Sequence, residues 1–122
     1  EGGLEPALRG LVRRSPLPAG LVAVPAGRFA AAVEAAAYFV VAEALTNAAR
    51  HAAGASAVEV AVQVEDGSVA VTVADDGPGG ARLDGGGLAG LADRVAALGG
   101  QLTVISPADA GTTVRAEIPC ES

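Results

Sequence analysis

The sequence contains no lysine, methionine or tryptophan, and it has a single cysteine and a single histidine. One residue of each kind excludes a disulfide framework and a structural zinc site, because both need several such side chains. The absence of lysine excludes a Walker A loop, which uses a lysine to hold phosphates. Aromatic residues make up 2% of the chain and hydrophobic residues 51%, so the core must be built from valine, leucine and alanine.

Basic residues are outnumbered by acidic ones, and the net charge is −6 over 122 residues. An acidic chain is a poor partner for nucleic acids or anionic membranes, since both attract basic surfaces. No apolar run reaches the ~18 residues of a membrane span, and the N-terminus lacks the pattern of a signal peptide. The length predicts one domain over residues 1–122. Because the chain begins at Glu1 without a methionine, we expect this domain to be a fragment of a larger protein.

Hydrophobic spacing and turn residues predict three helices and five strands. The predicted helices cover residues 4–14, 29–51 and 88–98, and the predicted strands cover residues 21–24, 57–64, 69–73, 102–105 and 112–118. Asp66 and Gly67 form a two-residue hairpin signal between the second and third strands. This order predicts an α/β fold, a two-layer sandwich in which a mixed sheet of about five strands carries the helices on one face.

The longest predicted helix carries a polar stripe. Glu43, Asn47 and His51 recur every four residues and therefore lie along one side of the helix. An asparagine oxygen suits Mg²⁺, which takes few protein ligands when phosphates supply the rest, and a glutamate one turn away could act as a base. A solvated helix edge explains the same stripe equally well.

Asp75-Asp76-Gly77-Pro78-Gly79 follows the third strand. A carboxylate at a strand end can accept a hydrogen bond from the exocyclic amine of adenine, and it would repel the carbonyl that guanine presents there. These residue types also favour ordinary turns, and by itself the segment is better explained as a turn.

Two further segments are rich in glycine or threonine. A predicted helix starts at Leu88, directly after Gly85, Gly86 and Gly87. Backbone amides at such a helix start can bind phosphates, but the glycines can equally be a flexible linker before the helix. The other segment is Gly111-Thr112-Thr113. A threonine hydroxyl there can form a hydrogen bond with a purine, or the two threonines can simply favour a strand.

Taken together and in this order, the four segments resemble the N, G1, G2 and GT boxes of the Bergerat-type (GHKL, HATPase_c) ATPases. The run from Glu43 to His51 and the run from Gly87 to Gly100 are similar to the ATP-binding catalytic domains of two-component sensor histidine kinases. The similarity is to the subgroup that signals to helix-turn-helix response regulators. Gly80 and Gly86 depart from that pattern, since relatives often carry a bulky apolar residue and a histidine there.

The resemblance implies catalytic roles for two residues of the long helix. Asn47 would coordinate Mg²⁺, and Glu43 would lie at the metal and the γ-phosphate of ATP. Arg50 and His51 would lie near the phosphates.

The resemblance also implies an adenine pocket and a lid. Asp75 would bind the adenine amine, and Gly77 and Gly79 would let the backbone approach the base. Thr112 or Thr113 would close the pocket through water. The lid hinge, which would also contact phosphates, would consist of Gly85, Gly87 and Leu88.

The function implied is that of a histidine kinase catalytic domain, which transfers the γ-phosphoryl group of ATP to a histidine on a separate helical hairpin. A response regulator would be an indirect partner. The domain would be cytoplasmic, as part of a kinase that is itself soluble or membrane-anchored, and inactive in autophosphorylation as an isolated fragment. An alternative is a nucleotide-sensing or partner-binding module, such as a degenerate kinase or an anti-sigma-type serine kinase.

Overall fold

The computed structural model of the chain describes residues 3–15, 17–25, 27–51, 57–77, 87–106 and 111–120. Three helices pack on one face of a five-stranded mixed sheet, which confirms the predicted α/β sandwich. The helices are α1 (Leu4–Arg14), α2 (Ala31–His51) and α3 (Gly87–Ala97). The strands are β1 (Ala19–Ala23), β2 (Val58–Glu65), β3 (Ser68–Asp75), β4 (Gln101–Ile105) and β5 (Thr112–Pro119). No helix among these residues is long and apolar enough to cross a membrane.

The strands lie in the order β1-β2-β3-β5-β4. The β1–β2 pair is parallel, and the other three pairs are antiparallel. The β2–β3 hairpin turns at Asp66 and Gly67, whose φ angles are 50° and 78°. Two consecutive positive φ angles define a type I′ turn, which matches the twist of the flanking strands. The predicted hairpin is therefore confirmed.

The core lies between the helices and the sheet, and it is built almost entirely of valine, leucine and alanine. The five apolar positions that predicted α2 are all buried in it: Val33, Ala37, Val40, Ala44 and Ala48. Small alanines on α2 let the helix approach the sheet closely, which suits a core without large aromatic side chains.

Two elements start two residues away from their predicted starts. Strand β1 begins at Ala19, two residues before the prediction, because the Val58 N–H donates to the Pro18 carbonyl and starts the parallel ladder there. Helix α2 begins at Ala31 and not at residue 29, because the Glu34 carboxylate accepts a hydrogen bond from the Phe29 N–H (3.0 Å). This bond holds Phe29 outside the helix, as a capping side chain does.

Helix α3 stops before Gly99 and Gly100, as these two glycines predicted. Its first and last residues each lie one position before the predicted ones. Gly99 has φ 79°, and its N–H donates to the Ala96 carbonyl while the Gly100 N–H donates to the Val95 carbonyl. These are the two bonds of a Schellman motif, which favours glycine at the left-handed position. The chain reverses there and enters β4 at once.

Candidate functional site

One end of the sheet gathers the predicted site segments. Strand β3 ends there at Asp75, and β2 and β5 begin beside it at Val58 and Thr112. Only six residues separate the end of α2 at His51 from Val58, so the last turns of α2 lie at the same end of the sheet. Helix α3 enters β4 through a tight reversal at the opposite end, so its N-terminus points back to this one. We call this region the Asp75 end.

A row of side chains crosses the strands at the Asp75 end, on the face that the helices cover. Val58, Asp75 and Thr112 are direct partners in the β2–β3–β5 ladders, and Ser106 follows the end of β4 beside Thr112. The next row into the sheet is entirely valine: Val60, Val73, Val114 and Val104. A polar edge therefore lies against an apolar floor, which is an arrangement that suits a flat heterocyclic ligand.

The carboxylate of Asp75 is oriented by its own turn. The Gly77 N–H donates to Oδ1 of Asp75 at 2.9 Å, and Gly77 is buried. A carboxylate has two oxygens and about four acceptor sites, so Oδ2 remains available to a donor from a ligand. Asp75 and Gly77, two of the predicted residues, therefore form one local unit.

The register between β3 and β5 places Thr112 and Thr113 on opposite faces of the sheet. Thr112 is 7% exposed and shares the helix-covered face of the sheet with Asp75. Thr113 is the partner of Ala74 and Ile105, and because side chains alternate along a strand it lies on the opposite face. Of the two predicted threonines, the structure brings only Thr112 to Asp75.

Gly111 is the residue that lets β5 start so close to Asp75. Its φ is 77°, and a Cβ at this position would collide with the Asp75 carbonyl oxygen. Both observations require glycine. The glycine of the Gly111-Thr112 segment thus brings its threonine beside the carboxylate.

Glu43 and Asn47 are half-buried on α2. Within the described part of the chain, neither side chain makes a hydrogen bond or an ion pair. Polar side chains on an otherwise apolar helix usually find partners when partly buried. Their oxygen atoms are therefore available to a ligand.

The remaining predicted residues are less completely described. Gly79, Gly85 and the side chains of Arg50 and His51 lie outside the described residues, so their roles stay predictions. Gly87 is the first residue of α3, and the Leu88 side chain is 1% exposed in the core. Leu88 can therefore offer a ligand only its backbone N–H, together with those of the first helical turn.

Sequence reasoning missed two polar residues. Oδ1 of Asp76 accepts a hydrogen bond from the Ala57 N–H at 3.2 Å, which ties the start of β2 to the turn after β3. Oγ of Ser106 lies 2.6 Å from Oγ1 of Thr112. A hydroxyl directly after a strand is too common a pattern to single out Ser106, and the partner of Asp76 is distant in sequence.

A concavity of about 450 Å³ lies between α1 and α2. Its walls include Leu11 and Arg14 from α1 and Leu45 and Ala49 from α2. At 100° per residue, Leu45 points about 160° away from Glu43 around α2. This groove is therefore separate from the polar stripe.

Comparison with protein families identifies residues 32–122 as matching the model of the histidine kinase-, DNA gyrase B- and HSP90-like ATPases. The matched range contains every predicted site residue. A comparison with curated proteins gives no match.

Solved structures with the same fold include histidine kinase domains. A histidine kinase domain from the blue-light activated histidine kinase EL346 of Erythrobacter litoralis is 25% identical (TM-score 0.75), over 96% of this chain and 59% of that one. The ATP-binding domain of PrrB from Mycobacterium tuberculosis is 23% identical (TM-score 0.73), over 98% of this chain and 92% of that one. This chain thus spans less than two thirds of the Erythrobacter domain. It belongs to the histidine kinase-, DNA gyrase B- and HSP90-like ATPase family and has the fold of a histidine kinase ATP-binding domain.

Proposed function

We propose that this chain binds ATP together with Mg²⁺ and donates the γ-phosphoryl group to a histidine on a separate helical hairpin. The observation that carries the proposal is the pairing of Asp75 with Thr112 above a floor of valines, at the end of the sheet where α2 also ends. The whole of residues 1–122 acts as one ATP-binding catalytic domain in this proposal.

The row at the Asp75 end supports recognition of adenine. Oδ2 of Asp75 would accept a hydrogen bond from the exocyclic amine, while the Gly77 N–H holds the other oxygen in place. Guanine would bring a carbonyl oxygen against the carboxylate, and both groups would be left without a donor. The buried Gly77 and the predicted Gly79 would let the backbone approach the base.

Asn47 and Glu43 support a magnesium-dependent phosphate site. Their oxygens, which have no partner among the described residues, have the chemistry that Mg²⁺ selects, and Asn47 would hold the ion. No three His, Cys, Asp or Glu side chains cluster as a metal site among the described residues, so this ion would share its coordination with phosphates and water. Bound there, Mg²⁺ would neutralise charge on the phosphates during transfer.

The N-terminus of α3 supports binding of the phosphate chain. The first N–H groups of any helix lack partners within the helix, and no acidic residue lies in the first turn of α3 to repel an anion. Gly87 and Leu88 would donate these amides, and Arg50 and His51 would lie near the same phosphates. The predicted lid hinge at Gly85 belongs to this part of the proposal.

The acceptor histidine must come from elsewhere. His51 follows Asn47 by one helical turn, so it shares the stripe that would face the phosphates. In-line transfer requires the attacking and leaving oxygen or nitrogen atoms on opposite sides of the γ-phosphorus, and a residue within the phosphate-binding wall is poorly placed for that. A hairpin of the same kinase, in the cytoplasm, would supply the acceptor and then pass the phosphoryl group to a response regulator.

The test is transfer of label from γ-labelled ATP to a phosphoacceptor hairpin supplied as a separate polypeptide. We expect acid-labile label on the hairpin with Mg²⁺ present, and none with the Asn47→Ala variant. Acid-stable label on a serine acceptor would instead support the anti-sigma-type alternative. ATP binding without transfer to any acceptor would support a sensing module.

A further inference from the structure

Thr112 is the one buried polar side chain among the described residues, and its hydroxyl is held by Ser106. Their oxygen atoms are 2.6 Å apart, which is short for a hydrogen bond between hydroxyls. Ser106 directly follows β4 and Thr112 is the first residue of β5, so neighbouring strands present the two groups to each other.

A hydroxyl carries one proton, so only one of the two can donate across this contact. If Ser106 donates, Thr112 accepts and its own proton is left for another acceptor. If Thr112 donates, it can offer a ligand only its lone pairs. The direction of this bond therefore decides whether Thr112 is a donor or an acceptor toward anything bound beside Asp75.

A site that binds adenine must offer an acceptor and a donor side by side. Its exocyclic amine donates, and the ring nitrogens N1 and N7 on either side of the amine accept. Guanine replaces the amine with a carbonyl and carries a proton on N1, which reverses the pattern on that edge. A carboxylate at Asp75 beside a donating hydroxyl at Thr112 therefore matches adenine, and an accepting hydroxyl at Thr112 does not.

We propose that Ser106 is a positioning residue for nucleotide specificity. Ser106 donates to Thr112 and so leaves the Thr112 hydroxyl to donate directly to a ring nitrogen beside the adenine amine. The inference rests on the adenine site proposed above, and it adds to that site a residue that does not itself touch the base.

The experiment measures binding of ADP, 1-deaza-ADP and 7-deaza-ADP by calorimetry. The wild-type chain should lose affinity about five-fold when one of the two ring nitrogens is replaced by carbon, in keeping with the loss of a single hydrogen bond. Ser106→Ala leaves the Thr112 hydroxyl without the partner that orients it, so this variant should bind ADP about five-fold more weakly and its preference for ADP over that deaza analogue should fall. Ser106→Thr, which keeps the hydroxyl, should restore the distinction.

Two further variants guard against trivial effects. Ser68→Ala removes a half-buried serine at the opposite end of the sheet and should leave all affinities unchanged. Ser106→Cys keeps the shape of the side chain but donates weakly, so it should behave like Ser106→Ala. Thermal unfolding without nucleotide identifies the variants that fold.

A purely structural role for Ser106 would weaken ADP and both analogues by the same factor, and that result would overturn the inference. Wild-type protein that binds ADP and both analogues equally would overturn it as well. Failure of the wild-type chain to bind ADP at all would instead contradict the proposed function. The ratio of affinities, and not the affinity itself, is therefore the decisive quantity.

Discussion

Asp75 and Thr112 are direct partners across β3 and β5, on the face of the sheet that the helices cover. Their pairing depends on Gly111, whose positive φ and missing Cβ let β5 start against the Asp75 carbonyl. A carboxylate and a hydroxyl thus lie together at the edge of an otherwise apolar layer.

Asn47→Ala should remove the magnesium-dependent part of ATP binding and leave binding of ADP without metal nearly unchanged. Because Asn47 makes no hydrogen bond among the described residues, the free energy of unfolding should change by no more than about 0.5 kcal/mol. Calorimetry with and without Mg²⁺, together with urea unfolding, measures both quantities. Thr46→Ala is the matched control on the exposed side of α2. A large loss of stability with intact metal dependence would contradict a ligand role.

Gly111→Ala should lower the free energy of unfolding by about 2 kcal/mol or more, because alanine is strained at φ 77° and its Cβ would meet the Asp75 carbonyl. The control is Gly90→Ala, on an exposed position of α3 with open space around its Cα. That change should raise stability by about 0.5 to 1 kcal/mol, because alanine favours a helix more than glycine does. Equal effects of the two substitutions in urea unfolding would contradict the close approach of β5 to Asp75.

Glu34 predicts a specific pH dependence of stability. Hydrogen bonds from the Arg28 side chain and the Phe29 N–H hold the pKa of the Glu34 carboxyl below its ordinary value of 4.5. A pKa that is lowered in the folded state contributes stability above the unfolded value, and this contribution is lost as the pH falls through the folded pKa. Glu34→Gln should therefore be less stable than wild type at pH 7, by about 1 kcal/mol for a lost capping interaction.

The same comparison at low pH completes the Glu34 test. Below about pH 4 the difference in unfolding free energy between wild type and Glu34→Gln should shrink toward zero. A constant difference between wild type and Glu34→Gln from pH 7 to pH 3 would mean that the charge on Glu34 does not stabilise the start of α2.

The isolated chain should not phosphorylate itself. His51 is its one histidine, and its spacing in the sequence predicts a helical stripe shared with the residues proposed to face the phosphates. Incubation with γ-labelled ATP and Mg²⁺ should leave no acid-labile phosphate on the protein. Stoichiometric label that disappears in His51→Gln would make His51 a nucleophile and overturn the requirement for a separate acceptor.

Local signals in the sequence were sufficient for most elements of the fold. Helix α1, the turn at Asp66-Gly67 and the glycine stop after α3 each follow from residues adjacent in the chain. Strand β1 was displaced because its start depends on a hydrogen bond from Val58 to Pro18, between segments far apart in sequence. The start of α2 depended on the Glu34 side chain reaching back to Phe29.

In the candidate site too, local spacing was predictable from the sequence, and contacts between distant segments were not. Spacing along one helix placed Glu43 and Asn47 on one stripe. It could not show that both are half-buried and that neither has a side-chain partner in the part of the chain that the structure describes. The choice between Thr112 and Thr113 depends on which face of β5 meets Asp75, and only the register of the sheet decides that. Ser106 carried no signal in the sequence, because its contact with Thr112 depends on the register between β4 and β5.

The measurement that tests the central claim most directly is a titration of the wild-type chain and Asp75→Asn with ADP and GDP. Asp75 is proposed to accept from the adenine amine, so the wild type should bind ADP and bind GDP far more weakly. Asp75→Asn should retain its fold, as judged by thermal unfolding, and lose ADP binding. Equal binding of ADP and GDP by the wild type, or undiminished ADP binding by folded Asp75→Asn, would contradict the adenine site at Asp75.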